Sequence, residues 1–353
     1  MHVLVCEAPG KMTLEETDAP RCGPGQALLR IHCVGICGTD IHAYGGRQPY
    51  FSYPRVLGHE LSGEVVATGD DVDRSLVGQR AYVIPYLHCG QCSACLRGRT
   101  NCCQSLEVIG VHRDGGMAEC LVVPATHLVT SRTLSFEQLA LVECLAIGAH
   151  AVRRSQLEEG ELVVVAGAGP IGMGVAQLAQ AQGARVMMLD NHEGRLAFCR
   201  DTLGVATFNV AEGNSLDAIA SFSDGVMADV VFDATGNPQA MNRGFDFAGH
   251  GGRYVLVSVV RADITFNDPD FHKRELTLLG SRNATREDFD RVTRLMEAGK
   301  LFERAMITHR APLEDMPGIM AQWCDPTTGV IKGMVHVAGG SETDHQTPEA
   351  AHE

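Results

Sequence analysis

With 353 residues, 45% hydrophobic and 20% charged, the chain is too long for one ordinary core and reads as a globular protein of two domains. The formal net charge of −14 argues against nucleic acid or an anionic membrane surface as a partner and leaves small-molecule substrates open. There is no N-terminal apolar run with basic flanks and no run of about 18 apolar residues, so a cytoplasmic protein without a membrane span is expected. Thirteen cysteines in such a protein point to metal rather than to disulfides.

The first part reads as β-rich. Strands are expected over 26–34, 61–68 and 80–85, divided by the turns Gly23-Pro24-Gly25 and Gly69-Asp70-Asp71. Short strands between turn residues suggest a small barrel or sandwich rather than a βαβ unit. Between the first two lies Gly35-Ile36-Cys37-Gly38-Thr39-Asp40-Ile41-His42, and Gly58-His59-Glu60 precedes the second. Cys37 can bind a soft metal, Thr39 or His42 can pass a proton, and Asp40 can orient a second ligand from behind.

Cys89, Cys92 and Cys95 follow the third strand at intervals of two residues, with Cys102 and Cys103 close behind. Four thiolates at about 2.3 Å from one zinc form a closed, structural site. Either Cys102 or Cys103 can be the fourth ligand, and an iron–sulfur cluster is the rival occupant.

The pattern changes near residue 148. A buried-strand run over 161–166 leads into Gly167-Ala168-Gly169-Pro170-Ile171-Gly172 and a helical pattern through Gln182. This is a G-x-G-x-x-G between strand and helix. Gly167 makes the turn, Gly169 lets the backbone approach a pyrophosphate, and Gly172 allows close helix packing. Pro170 suits the first helical turn. The next strand ends at Asp190, where a carboxylate bonds the adenine ribose and repels a 2′-phosphate, favouring NAD. His192 and Arg195 follow closely, and a cation there can hold a phosphate, which keeps NADP in view. Strand-like runs over 204–210, 228–234, 253–258 and 276–280 alternate with helical segments and imply a doubly wound parallel sheet. Thr235, Ser258 and Val259, at strand carboxyl ends, are expected to line the cofactor groove. A helix is expected from Arg286, and the polar, acidic segment 339–353 reads as a disordered tail.

These motifs, in this order and spacing, resemble the zinc-dependent medium-chain dehydrogenases, the superfamily of alcohol, sorbitol and threonine dehydrogenases. The resemblance implies an α/β protein: a GroES-like β-rich catalytic domain (1–147, with a zinc lobe at 89–103), a Rossmann domain (148–284), and a return to the catalytic domain (285–338). It selects Cys103 over Cys102 for the lobe. It implies a catalytic zinc on Cys37 and His59, with Glu60 able to enter or leave the metal sphere, and two zinc ions per chain in all. The third position holds Glu143-Cys144 where polyol dehydrogenases have Glu-Pro; Glu143 is the expected ligand, with Cys144 the alternative and Glu143 then a helix-start residue. Asp40 is expected to fix the His59 tautomer, and Thr39 with His42 to carry the proton away. Arg282 and Asn283 lie where relatives contact nicotinamide and substrate, and Leu279-Gly280-Ser281-Arg282 is similar to members acting on sugar acids. The implied reaction is hydride transfer from a secondary alcohol of a polyol, sugar or sugar acid to NAD, in a homodimer or homotetramer. The alternatives are a threonine or simple-alcohol dehydrogenase and a catalytically silent dinucleotide-binding protein.

Overall fold

The computed structural model describes residues 1–48 and 51–337, so the expected tail lies outside the described residues. The short strands of the first part build one antiparallel system. Gln26–Gly35 pairs with Glu60–Thr68 and Cys120–Pro124, and Glu60–Thr68 pairs with Arg80–Val83. Alternation in Gln26–Gly35 puts Ala27, Leu29 and Ile31 inside, as a strand with one buried face requires. The chain returns to this sheet at its far end: Lys332–His336 pairs antiparallel with Gln26–Gly35 and parallel with Ile307–Pro312.

The middle of the chain forms a second, all-parallel sheet. From one edge its strands are Ala206–Asn209, Arg185–Asp190, Leu162–Ala166, Ala228–Asp233, Ala248–Leu256 and Thr277–Gly280. The order reverses direction at Leu162–Ala166, so the crevice at its carboxyl end is the switch point where ligands bind. Leu162–Ala166 is buried throughout, the signature of a strand covered on both faces.

A 19-residue helix, Phe136–Arg154, joins the two sheets. Ser135 caps it, accepting from Gln138 N while Gln138 Oε1 accepts from Ser135 N. Fourteen of its residues are buried, so it behaves as a core helix rather than an amphipathic surface one. The expected border at 147/148 falls inside this helix, which packs on both the first sheet and the helices Pro170–Gln180 and Arg286–Glu297. Among the described residues no helix is long and apolar enough to cross a membrane.

Candidate active site

Two turns meet at the carboxyl end of Gln26–Gly35. Cys37 caps the short helix Gly38–Tyr44, and His59-Glu60 opens the neighbouring strand. Asp40 joins them: Oδ2 accepts from Cys37 N at 2.9 Å and Oδ1 from Gly58 N at 3.2 Å. Its nearest oxygen is 3.8 Å from His59 Nδ1, beyond hydrogen-bond reach. The sequence leads one to expect Asp40 to fix the imidazole tautomer, but no direct bond does so; Asp40 is fully buried and its carboxylate binds the two turns instead.

Within this frame Cys37, His59 and Glu60 bring one donor atom each to within 4.8 Å of one another. A Cβ at Gly35 would collide with the Glu60 carboxylate, so glycine there is what lets Glu60 lie against the strand. His59 is 5% exposed, and its Nδ1 has no hydrogen-bond partner among the described residues. Burial alone would lower its pKa, yet the facing Cys37 and Asp40 hold it well above the usual imidazole range. Anionic donors crowded round a buried imidazole fit a bound cation, and a thiolate–imidazole–carboxylate set suits zinc.

One cation is built in. Lys332, 1% exposed, donates to both Glu60 oxygens at 2.7 and 2.6 Å and to Ile36 O at 3.1 Å. Burial opposes its charge, but Cys144 and Glu60 hold its pKa above the ordinary lysine value. Glu60 is thus a paired carboxylate as well as a potential ligand. Sequence reading missed Lys332, although a lysine inside the otherwise buried strand Lys332–His336 is a legible anomaly.

Glu143, the expected third ligand, lies in the middle of the long helix, so it is not the helix-start residue of the Cys144 alternative. It falls outside the group in which Cys37, His59 and Glu60 lie within 4.8 Å of one another. The buried Tyr86 hydroxyl donates to Glu143 Oε1, a second contact that sequence reading missed. Burial raises the Glu143 pKa, while His59 opposes this. Cys144 is 1% exposed and also outside the group; burial holds its thiol well above the usual range. Thr39 is half-buried beside Cys37, and His42 is exposed one turn further on.

In the lobe, Cys89, Cys92, Cys95 and Cys103 converge, and Cys102 is exposed and outside the group. The Cys89–Cys103 and Cys92–Cys103 sulfur pairs stand 3.5 and 3.9 Å apart, close to the edge of about 3.8 Å for a tetrahedron with 2.3 Å arms. Backbone N–H groups of Cys95 and Gln104 pull the Cys92 thiol down to about 6, and burial pushes Cys95 up to about 12. Four sulfurs so placed leave no room for substrate.

At the switch point Gly167 has φ +100° and a Cβ there would meet Ala234 O at 2.7 Å. Gly169 caps Pro170–Gln180, and a Cβ there would meet nothing within 4 Å. This leaves an open cradle at a helix N-terminus, the place for an anion. Asp190 accepts from Ala168 N at 2.6 Å and from His192 N at 2.8 Å, tying the glycine turn to the next strand. Ile171 lies in the first turn of Pro170–Gln180 and Arg195 in the helix Glu193–Asp201, both half-buried. Buried Asp233, which sequence reading also missed, accepts from Thr235 and Ser258 and so draws two strand ends together. Val259 is 79% exposed. Arg282 is exposed and lines a cavity of about 460 Å³ with Arg99, His150 and Arg153. None of Cys37, His59, Glu60 or Glu143 lines it, so the Arg282 side chain stands apart from the donor group. Asn283 holds φ +50° in the same loop.

A parallel dinucleotide-type sheet, an antiparallel domain carrying a buried thiolate–imidazole–carboxylate group, and a four-cysteine lobe define a zinc-type alcohol dehydrogenase. The chain belongs to that family: it matches the alcohol dehydrogenase GroES-like domain over residues 23–133 and the zinc-binding dehydrogenase domain over 170–298. It is 44% identical to L-galactonate-5-dehydrogenase of Escherichia coli K12 over 336 residues, 95% of this chain and 98% of that protein. Among solved structures it is similar to RspB, an alcohol dehydrogenase of E. coli CFT073 complexed with NADH, with TM-score 0.90 and 27% identity over 95% of this chain and 99% of that one. A zinc-binding dehydrogenase of Sinorhizobium meliloti 1021 bound to NADP gives TM-score 0.89 and 30% identity, over 95% of this chain and 98% of that one.

Proposed function

We propose that the protein is a zinc-dependent dehydrogenase that oxidises a secondary alcohol of a sugar acid or polyol with NAD. The observation that carries this reading is the convergence of half-buried Cys37 with buried His59 and Glu60, in one chain with the open glycine cradle at Gly169. Likeness to L-galactonate-5-dehydrogenase supports a sugar acid, with polyols the neighbouring class.

Cys37 and His59 would hold the catalytic zinc, and Cys89, Cys92, Cys95 and Cys103 a structural one. Zinc, when bound, supplies a Lewis acid for the alcohol oxygen, and the nicotinamide accepts the hydride. The remaining work falls to the chain. Lys332 neutralises Glu60 and fixes it near the metal group. Tyr86 holds one oxygen of Glu143, setting the direction of a carboxylate beside the site. Thr39 and His42 are three residues apart on Gly38–Tyr44 and so share a helix face, a route for a proton from the buried end to solvent. Burial and Arg47 lower the His42 pKa, which keeps the ring neutral and able to accept that proton at physiological pH. Asp190 supports NAD over NADP, because a second anion there opposes a 2′-phosphate.

A homodimer or homotetramer in the cytoplasm is part of this proposal. The exposed edge strand Thr277–Gly280 offers unpaired backbone to a second copy.

The test is NADH formation against a panel of aldonates, hexitols, aldoses and threonine, with NADP in parallel. Turnover of an aldonate or hexitol with NAD supports the reading; turnover of threonine alone refutes it. Cys37→Ser is expected to abolish turnover and remove one zinc per chain. An active Cys37→Ser enzyme refutes the metal assignment.

A further inference from the structure

The lobe that holds four cysteines does no chemistry, yet one of its residues reaches out of it. Asn101, two positions before Cys103 in the turn Thr100–Cys102, is 4% exposed. Its Nδ2 donates to Arg282 O at 2.8 Å and to His150 Nε2 at 3.2 Å. Both partners are acceptors, so the amide has one orientation: flipping it would set Oδ1 against the Arg282 carbonyl. Accepting at Nε2 places the imidazole proton on Nδ1, which donates to Asp288 Oδ2 at 2.8 Å.

Asp288 is fully buried and is itself fixed. It accepts from Arg153 Nε at 2.7 Å, from Thr285 N at 2.9 Å and from Thr285 Oγ1 at 2.9 Å. Burial works against its charge, but the hydrogen bonds from Arg153 and His150 win and hold the carboxyl well below the usual range. The loop 281–285 is therefore held at both ends. Thr285 is bound to Asp288, Ser281 N donates to Leu256 O at 2.9 Å, and Asn101 grips the carbonyl between. Within it Asn283 sits at φ +50°, in the left-handed region that asparagine enters more readily than other non-glycine residues.

We infer that Asn101 is a positioning residue through which the cysteine lobe sets the loop 281–285 at the carboxyl end of the edge strand of the cofactor sheet. Cys95 and Cys103, which would hold a lobe metal, stand six positions before Asn101 and two after it, so a metal bound there would clamp the segment from which the amide projects. The lobe then acts on recognition as well as on stability. The loop's effect on substrate rests on the function proposed above; its mechanical dependence on Asn101 does not.

The experiment uses full-length, zinc-loaded enzyme with Asn101→Asp, which keeps the shape but presents an acceptor to two acceptors. Asn101→Ala is the second variant, should the first not fold. Amide hydrogen exchange is read over 281–286 and, as an internal control, over Leu162–Ala166; zinc content and substrate and NAD KM values are measured in parallel. The expected result is at least tenfold faster exchange in the loop and unchanged exchange in the control strand. Two zinc ions should remain per chain, and KM for the alcohol should rise about tenfold with NAD KM within about twofold, the scale of a lost positioning contact. Unchanged loop exchange overturns the inference, as does a uniform rise across the chain, which would mean a purely structural role. Faster loop exchange with an unchanged substrate KM supports the positioning and overturns the loop's assignment to substrate.

Discussion

Replacing Lys332 by Met tests the most exacting electrostatic feature of the site. Two unit charges 2.6 Å apart attract by about 6 kcal/mol at an effective dielectric of about 20. Hydration lost by two groups at most 1% exposed offsets most of that, so the pair itself adds little over an apolar one. Breaking it is different. Lys332→Met leaves Glu60 buried against Gly35 without its cation, and a loss of about 3–5 kcal/mol is expected. Glu60→Gln alone strands the lysine and is expected to be similarly costly, whereas the double variant removes both charges of the pair. Urea denaturation of the four proteins, each zinc-loaded, closes the double-mutant cycle; a coupling of about 2 kcal/mol or more is expected. A single Lys332→Met loss under about 1 kcal/mol, or a double variant as unstable as the two singles summed, would refute the argument.

Other consequences are equally direct. Cys103→Ser is expected to lower metal content from about two zinc per chain to one, with Cys102→Ser keeping both; metal analysis reads the difference. Tyr86→Phe removes the donor to Glu143 and should lower kcat about 10- to 100-fold with zinc retained; a cobalt-substituted sample shows whether the metal environment shifted. Glu137 is held down to about 2 by hydrogen bonds from His336 and Arg310, against the effect of burial. A depressed carboxyl stabilises the fold above its unfolded pKa and loses that contribution as pH falls toward the folded value. Glu137→Gln should therefore lower stability at neutral pH and flatten the denaturation-midpoint profile between about pH 5 and 2. A Cβ at Gly148 would stand 2.8 Å from Gly174 C and Val175 N, so Gly148→Ala should cost about 1–3 kcal/mol of overpacking strain, read by calorimetry.

Much of the site was legible because its parts are local. Cys37 with Asp40, Gly58-His59-Glu60, the cysteine series and the glycine turn each occupy a few consecutive residues, where spacing alone fixes mutual geometry. What stayed hidden is long-range. Lys332 is 272 residues from Glu60, and only the pairing of the last strand with Gln26–Gly35 brings them together. Tyr86 meets Glu143 across two elements, and Asn101 reaches a carbonyl 181 residues away. Asp40 shows a subtler limit: its type and place suggest a carboxylate that orients His59, but a buried carboxylate bonds first to the N–H groups that must be satisfied, here those of Cys37 and Gly58. The strand expected over 253–258 in fact begins at Ala248, because Gly249, Gly251 and Gly252 conceal the strand pattern.

The long helix gives these contacts a common frame. Phe136–Arg154 carries Glu143 beside the metal group, meets Gly174 through Gly148, and anchors Asp288 through His150 and Arg153. At a rise of about 1.5 Å per residue, Glu143 lies about 7.5 Å along the axis from the contact at Gly148. That contact falls on Pro170–Gln180, the helix whose N-terminus is the open cradle at Gly169. The spacing between the metal group and the cofactor turn is therefore set by one helix crossing another at glycines, where backbones touch and no side chain can yield.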